Sequence, residues 1–311
     1  MSFIPIDSDV SRETSKHILC TDCPRMCGAP RSEVSGSGFC GMGTLPVIAR
    51  AALHFDEEPV ISGRRGSGAI FFSGCSLRCC YCQNYPVSHD GFGQMVSVER
   101  LREIYSELIG QGAHNINLVN PTHFTGSILR SLEKALPVPV VWNSSGYERV
   151  DTLRKLEGRI QVYLPDLKYM DEGPARRYSG ASDYFQAASQ AILEMYRQTG
   201  PVKLDREGMV ESGLIIRHLI LPGRARESCR ILDWIAENVP EAWISLMAQY
   251  MPYGDVRGKD ELERPITQEE YDLVFDHLSF LGLENGFIQD LSASEERYIP
   301  AFDLTGVNRK A

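Results

Sequence analysis

Residues 69–84 read Ala-Ile-Phe-Phe-Ser-Gly-Cys-Ser-Leu-Arg-Cys-Cys-Tyr-Cys-Gln-Asn, an apolar run followed at once by a loop rich in cysteine. Cys75, Cys79 and Cys82 follow a C-x3-C-x2-C spacing. Three thiolates on one short loop can hold three corners of a [4Fe-4S] cluster and leave the fourth iron without a protein ligand. The loop therefore predicts an iron–sulfur site with an open coordination position.

Other uses of these cysteines fit less well. A disulfide framework goes with export, and residues 1–19 lack the basic start and apolar stretch of a signal peptide. Cys79 and Cys82 could be a redox dithiol, or the three cysteines part of a zinc site, but structural zinc prefers four protein ligands. Cys80 is predicted not to be a ligand, because adjacent side chains point apart.

Composition indicates a soluble globular enzyme. The chain has 311 residues, 43% of them apolar, and a formal net charge of −9. No apolar stretch approaches the ~20 residues that cross a bilayer, and an acidic chain has no electrostatic footprint for nucleic acid or anionic lipid. We expect a cytoplasmic protein without membrane or nucleic-acid partners.

Short β-branched or aromatic runs alternate with helical patterns along most of the chain, which is typical of βα units around a parallel sheet. Six strands are predicted, at Ala69–Phe72, Asn115–Val119, Val138–Trp142, Ile160–Leu164, Leu214–Leu221 and Trp243–Met247. Helices are predicted at Val98–Gly110 with Ser97 as its cap, Thr125–Leu136, Ser182–Gln198, Glu227–Asn238 and Thr267–Leu281. Six units predict a partial (β/α)6 TIM-type barrel within the α/β class, with its active site where strands end.

The remaining cysteine group lies upstream, as Cys20-x2-Cys23-x3-Cys27-x12-Cys40. Four thiolates make a closed site, which suits either an auxiliary [4Fe-4S] cluster or a structural zinc ion. The spacing does not decide between them, and we favour iron–sulfur modestly because of the neighbouring loop. The predicted domains are an N-terminal extension with this metal module at 1–60, and a barrel with a C-terminal helix and tail at 61–311.

These segments resemble a known enzyme family. The cysteine spacing, with Tyr81 before the third cysteine, is similar to the loop of radical S-adenosylmethionine (radical SAM) enzymes. Over residues 20–307 the chain resembles the branch of glycyl-radical-enzyme activases, which includes the pyruvate formate-lyase (formate C-acetyltransferase) activating enzymes. The motifs that carry this resemblance are Asn120-Pro-Thr-His-Phe124, Tyr163-Leu-Pro-Asp-Leu-Lys-Tyr169, Arg217-His-Leu-Ile-Leu-Pro222 and Leu246-Met-Ala-Gln-Tyr250.

The resemblance implies which residues contact S-adenosylmethionine. Asn120 and Thr122 stand where the activases carry a Gly-Gly-Glu that holds the amino group, and Asn143 stands where they carry a cation-binding Asp. Arg217 matches an Arg that faces the cofactor, and its fork suits a carboxylate. The full set of implied contacts is Tyr81, Asn120, Thr122, Asn143, Ser144, Ser145, Asp166, Lys168 and Arg217. His123 and His218 are more often hydrogen-bonded core residues than catalysts at such positions.

The function that the resemblance implies is that of an oxygen-sensitive radical SAM oxidoreductase. Such enzymes cleave S-adenosylmethionine reductively to a 5′-deoxyadenosyl radical, with flavodoxin or ferredoxin as electron donor. The activase likeness implies hydrogen abstraction from a glycine of a partner glycyl radical enzyme. Two alternatives stay open: radical modification of a small molecule or peptide, and a non-catalytic iron–sulfur electron carrier or metal-binding adaptor.

Overall fold

The computed structural model describes residues 18–291 and 300–309. Residues 1–17 of the predicted N-terminal extension, and residues 292–299 and 310–311 of the predicted tail, lie outside the described residues. Among the residues described, no helix combines the length and apolar character needed to cross a membrane.

Most strands belong to one large sheet, and its central part is parallel. The sheet has ten strands in the order β12-β11-β10-β8-β7-β6-β4-β3-β5, with β9 beside β10, and β1 pairs with β2 in a separate ribbon. The strands are β1 Ile18–Leu19, β2 Pro30–Arg31, β3 Val47–His54, β4 Ser67–Phe72, β5 Gln94–Met95, β6 Ile116–Val119, β7 Val140–Ser144, β8 Val162–Pro165, β9 Lys203–Leu204, β10 Val210–Leu219, β11 Trp243–Met247 and β12 Gly286–Ile288.

The predicted α/β class is confirmed, and all six predicted strands occur, as β4, β6, β7, β8, β10 and β11. Each of these pairs in parallel with its neighbour. Six strands were not predicted, namely β1, β2, β3, β5, β9 and β12. β12 extends the parallel run to a seventh strand, and β3, which falls within the predicted N-terminal extension, pairs antiparallel with β4.

The five predicted helices all occur, whereas four short ones, Pro59–Ser62, Tyr85–Ser88, Val150–Lys155 and Glu172–Ser179, were not predicted. Ser97 accepts a hydrogen bond from the Arg100 amide at the start of α3, and Thr267 forms a capping box with Glu270 at the start of α9. The helix predicted at Thr125–Leu136 ends early, at Ser131. The helices are α1 Pro59–Ser62, α2 Tyr85–Ser88, α3 Val98–Gly110, α4 Thr125–Ser131, α5 Val150–Lys155, α6 Glu172–Ser179, α7 Tyr184–Thr199, α8 Ala225–Asn238 and α9 Gln268–Phe280, with 3-10 turns at Thr122–Phe124 and Asp260–Leu262.

Alternate residues of the strands face opposite sides of the sheet. One side packs against the helices in the largest apolar cluster, to which Ile70, Leu118 and Trp142 belong. The other side holds a smaller cluster in which Val60 and Ile61 of α1 pack against residues of β7, β8 and β10. Helix α1 therefore covers part of the opposite face of the sheet, next to β7, β8 and β10.

Candidate active site at the carboxyl ends of the strands

A cavity of about 660 Å³ opens where the parallel strands end. The ends of six strands, the cysteine loop (residues 74–84) and the segment before α1 all contribute to its wall. This is where the barrel prediction places an active site. Among the predicted site residues, the structure brings together at this cavity Cys75, Cys79, Cys82, Tyr81, Asn120, Asn143, Ser144, Ser145, Asp166, Lys168 and Arg217.

The cysteine loop holds its sulfurs among hydrogen-bond donors. Cys75 Sγ accepts from the amides of Leu77 and Arg78, at 3.3 and 3.4 Å. Cys79 Sγ accepts from the Ser179 hydroxyl at 3.1 Å. Donors aimed at sulfur stabilise a thiolate, so these contacts suit metal ligands.

As free thiols, Cys75 and Cys82 are protonated. Burial raises the pKa of Cys75 to about 12 and that of Cys82 to about 11, and Cys79 adds to both shifts through charge repulsion. In the described part of the chain, no group of three His, Cys, Asp or Glu side chains has an arrangement that would bind a metal ion without rearrangement. The donor set still fits a cluster, because three sulfurs line one cavity, and loading would release protons and turn the side chains inward.

Buried aromatic side chains pack against Tyr81 of the cysteine loop. Tyr81 is buried, and its hydroxyl lies 2.7 Å from the hydroxyl of Tyr169, which in turn lies 2.8 Å from Ser179 Oγ. The ring of Tyr81 also meets those of Tyr178 and Tyr250 edge to face. Sequence reasoning found Tyr81 but missed its partners, although Tyr169 and Tyr250 each end one of the quoted motifs.

Asn120 links the end of β6 to the cysteine loop. Its φ of +60° is unusual for a residue other than glycine. The side chain donates to the Gly74 carbonyl, directly before Cys75, and its own amide donates to the Asn143 carbonyl at 2.8 Å. Asn120 therefore positions the loop, and its contact with S-adenosylmethionine stays a prediction.

Asp166 and Lys168 form a half-buried ion pair beside the cysteines. Burial alone would lower the pKa of Lys168, but the Asp166 carboxylate and the nearby Cys79 outweigh it and raise that pKa, so the amine is charged. The charged amine of Lys168 lies close to the loop cysteines and would help to stabilise their thiolates when a cluster is bound.

Thr122 lies away from the cavity lining. It is buried, and its hydroxyl donates to Glu148 Oε1 at 2.7 Å. The Trp142 indole donates to the same oxygen at 3.1 Å. Burial raises the pKa of Glu148 to about 7, because these donors only partly replace water. The structure thus gives Thr122 a contact with Glu148, and its contact with S-adenosylmethionine stays a prediction.

Arg217 lies in the cavity wall, but its guanidinium is already engaged. Its Nε donates to Glu58 Oε1 at 2.7 Å and its Nη2 to Glu58 Oε2 at 2.6 Å, while Nη2 also donates to Glu57. Asn117 and Asn143 donate to Glu57 Oε1 at 2.8 and 3.4 Å. The guanidinium that we expect to bind a cofactor carboxylate therefore already contacts two protein carboxylates, and its contact with the cofactor stays a prediction.

Sequence reasoning missed Glu57 and Glu58 as site residues. An acidic pair next to a proline resembles a solvated turn, and no motif marks it. Both side chains are nonetheless more than nine-tenths buried. Arg217 holds the pKa of Glu58 below its usual range despite burial, so the charged pair persists at neutral pH.

Both histidines of the motifs have structural partners outside the cavity. His218 Nδ1 lies 2.6 Å from the Leu167 carbonyl and Nε2 lies 2.8 Å from Ser228 Oγ. His123 Nε2 lies 2.7 Å from the Ser73 carbonyl, and burial lowers its pKa to about 4. These contacts fit the core role that the sequence favoured.

The four upstream cysteines lie in the N-terminal module (residues 18–45). Cys20 and Cys23 are buried, and Cys27 is exposed. Burial raises the pKa of Cys23 to about 12, with further repulsion from Cys20 and Cys40. The sulfur of Cys27 is close enough to Gly38 that a side chain there would lie 3.1 Å from it. The structure places the four cysteines in one small module, but as they stand their side chains do not form a metal-binding group, so the metal site stays a prediction.

Comparisons with known proteins agree with this architecture. No protein-family model matches the chain. An uncharacterized protein of Methanocaldococcus jannaschii, MJ0674, is 28% identical over 282 residues, which cover 84% of this chain and 75% of that protein. A point mutant of spore photoproduct lyase superposes with a TM-score of 0.50 at 10% identity, over 78% of this chain and 80% of that chain. The chain shares the fold of spore photoproduct lyase.

A second point mutant of spore photoproduct lyase has a TM-score of 0.47 at 10% identity, and covers 70% of this chain and 74% of that chain. At 10% identity the likeness to spore photoproduct lyase concerns the fold alone. The assignment of chemistry therefore depends on the cysteine loop and the cavity.

Proposed function

We propose that this protein is a radical SAM enzyme, with a [4Fe-4S] cluster held by Cys75, Cys79 and Cys82. The single observation that carries the proposal is that these three cysteines line one cavity at the carboxyl ends of parallel strands. The shared fold supports it, since spore photoproduct lyase is a radical SAM enzyme. The protein belongs, on this proposal, to the oxidoreductases that use S-adenosyl-L-methionine.

When bound, the cluster and S-adenosylmethionine would supply a 5′-deoxyadenosyl radical able to abstract a hydrogen atom. The chain's own residues would bind and orient the cofactor and the substrate, and exclude water from the site. Asn143, Ser144 and Ser145 offer polar groups at the end of β7, and Asp166 and Lys168 do so after β8. Tyr81 and its buried aromatic neighbours keep water from the underside of the loop.

We further propose that the hydrogen comes from a glycine in a partner glycyl radical enzyme. The whole-chain resemblance to the activases supports this choice. A second candidate, modification of a small molecule or peptide, is favoured by Glu57 and Glu58, which add a buried acidic floor to the cavity. Two carboxylates against one guanidinium leave one surplus negative charge, which would suit a substrate carrying a cationic group.

The test uses protein reconstituted without oxygen and reduced with dithionite. We expect release of 5′-deoxyadenosine from S-adenosylmethionine, and none from the Cys75→Ala/Cys79→Ala/Cys82→Ala variant. Cys80→Ala is the matched control, because Cys80 is in the same loop but does not line the cavity. If the cluster assembles and can be reduced but neither binds nor cleaves S-adenosylmethionine, the proposal of a radical SAM enzyme is wrong. That result would favour an electron carrier or a metal-binding adaptor.

The two substrate classes separate by a further measurement. A candidate glycyl radical enzyme incubated with the active protein should develop the glycyl EPR doublet. No doublet, with 5′-deoxyadenosine formed only when an amine-containing small molecule or peptide is added, would contradict the activase proposal and support the second candidate.

A further inference from the structure

Two glutamine side chains form a hydrogen-bonded pair at the ends of β11 and β12. Gln249 lies two residues after β11 ends, and Gln289 follows β12 directly. Gln289 Nε2 donates to Gln249 Oε1 at 3.1 Å. Both side chains line the cavity of about 660 Å³ at the carboxyl ends of the strands. The function proposed above gives this carboxamide pair (Gln249 and Gln289) no role.

The alternation of side chains along the strands directs both glutamines to the cavity. Ser245 and Met247 of β11 line the cavity, and Gln249 is the next residue on the same side. On β12, Phe287 lines the cavity, and Gln289 comes two residues later. The two carboxamides therefore lie side by side in one part of the cavity wall.

The carboxamide pair has one acceptor and one donor to spare. Gln289 Oε1 is buried and has no hydrogen-bond partner among the described residues. In the same part of the chain, Gln249 Nε2 contacts only the sulfur of Met247, a weak acceptor 3.9 Å away. A buried carbonyl oxygen without a partner costs free energy, so its presence in a cavity wall indicates a ligand that donates to it.

The spare acceptor and donor define the chemistry of that ligand. A carboxylate would be repelled by Gln289 Oε1, and an ammonium group would leave the Gln249 Nε2 donor without an acceptor. A neutral group that presents an N–H and a C=O side by side satisfies both. Each residue of an extended peptide does so, because its own N–H and C=O point to the same side. The pair therefore suits the backbone of a peptide.

A strand edge next to the carboxamide pair also suits a peptide. β12 is the end strand of the sheet, and no strand of the described residues pairs with its outer edge. The Asn285 carbonyl and the Gln289 amide bond to β11, so the backbone groups of Gly286 and Ile288 point to the outer edge. Both of these residues line the cavity. An extended peptide can add to such an edge through its backbone.

We propose that Gln249 and Gln289 bind the backbone of a peptide substrate, which lies as an extended segment at the outer edge of β12. The inference rests on the proposed function and specifies its substrate as a polypeptide. Gln249 Nε2 donates to the C=O of one substrate residue, and Gln289 Oε1 accepts from the N–H of the same residue. The pair positions the substrate and takes no part in electron or hydrogen transfer.

The test measures peptide binding without turnover. The holoprotein carries an oxidised loop cluster (the cluster proposed at Cys75, Cys79 and Cys82), S-adenosylmethionine, and 15N in its glutamine side chains. The probe is blocked triglycine, N-acetyl-Gly-Gly-Gly-amide, whose hydrogen-bonding groups are all amides. We expect the side-chain amide NMR signals of Gln249 and Gln289 to shift and to saturate with one Kd. An analogue with an ester in place of the central N–H should bind about threefold to tenfold more weakly, because it lacks one hydrogen bond.

Two substitutions test the contribution of the carboxamide pair. Gln289→Met removes the spare acceptor and should weaken the binding of blocked triglycine about tenfold. Gln249→Glu keeps an acceptor for Gln289 Nε2 but replaces the spare donor with an oxygen of similar size, so it should weaken binding at least as much while the protein stays folded. Gln190→Met is the matched control, because Gln190 is exposed on α7, and it should bind as the parent does. Parental affinity in both pair variants would overturn the proposal.

The affinity for S-adenosylmethionine provides a second readout, because an adenine base also carries an N–H beside an acceptor nitrogen. Equilibrium dialysis should give the same Kd for S-adenosylmethionine in the parent, Gln289→Met and Gln249→Glu. A tenfold loss of that affinity in the two variants, with unchanged binding of blocked triglycine, would mean that the pair contacts the cofactor and would overturn the proposal.

Failure of this inference and failure of the proposed function give different results. If the reduced parent cleaves no S-adenosylmethionine but blocked triglycine still binds at the carboxamide pair, the proposed function is wrong and the peptide site is supported. If the parent cleaves S-adenosylmethionine but blocked triglycine shifts neither glutamine signal, the peptide site is wrong and the proposed function is supported.

Discussion

The buried contact of Arg217 with Glu57 and Glu58 gives the most direct test of the cavity floor. The exposed fractions of the three side chains are 15%, 7% and 4%. Arg217→Met removes the cation and leaves two carboxylates without it in a buried site. Breaking a buried pair in this way costs about 3–5 kcal/mol in free energy of unfolding. We expect a loss in that range at pH 7.

Equilibrium urea denaturation of the metal-free, reduced proteins measures this loss. Arg206→Met is the matched control, because Arg206 is exposed in the turn between β9 and β10, and it should stay within about 0.5 kcal/mol of the parent. Adding Glu57→Gln and Glu58→Gln to Arg217→Met should recover most of the stability, since a buried site without net charge no longer lacks a counterion.

The loss should also depend on pH with a definite sign. Arg217 lowers the folded pKa of Glu58 below the ordinary value of 4.5, so the stabilisation is present above that value and is lost as pH falls through the folded pKa. In Arg217→Met the Glu58 carboxyl takes up a proton more readily, and the deficit should shrink between pH 7 and pH 5. A deficit below about 1 kcal/mol at pH 7, or one that does not change with pH, would refute the buried ion pair.

Three further perturbations test separate features. Gly146→Ala would place its Cβ 2.1 Å from the Asp166 carbonyl oxygen, so it should lower the free energy of unfolding in urea by about 2–4 kcal/mol. The control Gly158→Ala has a similar φ and no atom within 4 Å of its Cβ, and it should lower the free energy of unfolding by about 1–2 kcal/mol. Equal losses would contradict the close approach of Gly146 to Asp166. Burial raises the folded-state pKa of Glu148 from 4.5 to about 7, so the carboxyl is protonated more readily in the folded protein than in the unfolded chain. As the pH rises from 4.5 to 7, the free energy of unfolding of the parent should therefore fall by about 3 kcal/mol relative to Glu148→Gln. Parallel pH profiles of the two proteins would contradict the raised pKa. His218→Phe should lose about 1–3 kcal/mol of stability with an unchanged loop-cluster EPR signal, and an altered signal would argue for a role in the cavity.

The sequence predicted six of the seven parallel strands, because local patterns determine them. Buried parallel strands are continuous apolar runs, and Trp243–Met247 was predicted at its observed bounds. β12 was not predicted, because Gly286–Ile288 is only three residues long and begins with a glycine. β3 was assigned to the extension because its role as an edge strand depends on antiparallel pairing with β4, which no local pattern reports.

By itself the sequence determined the cysteine loop, the α/β class and the cavity edge, because each follows from spacing and from where apolar runs end. Only the tertiary structure decided what the charged groups contact. Arg217 and Glu58 are 159 residues apart, and Arg25 reaches carbonyls 51 and 154 residues away. Such contacts arise because folding brings distant polar groups into a space that water leaves, where each must find a partner. Spacing along the chain records which groups are available, and packing selects the pairs.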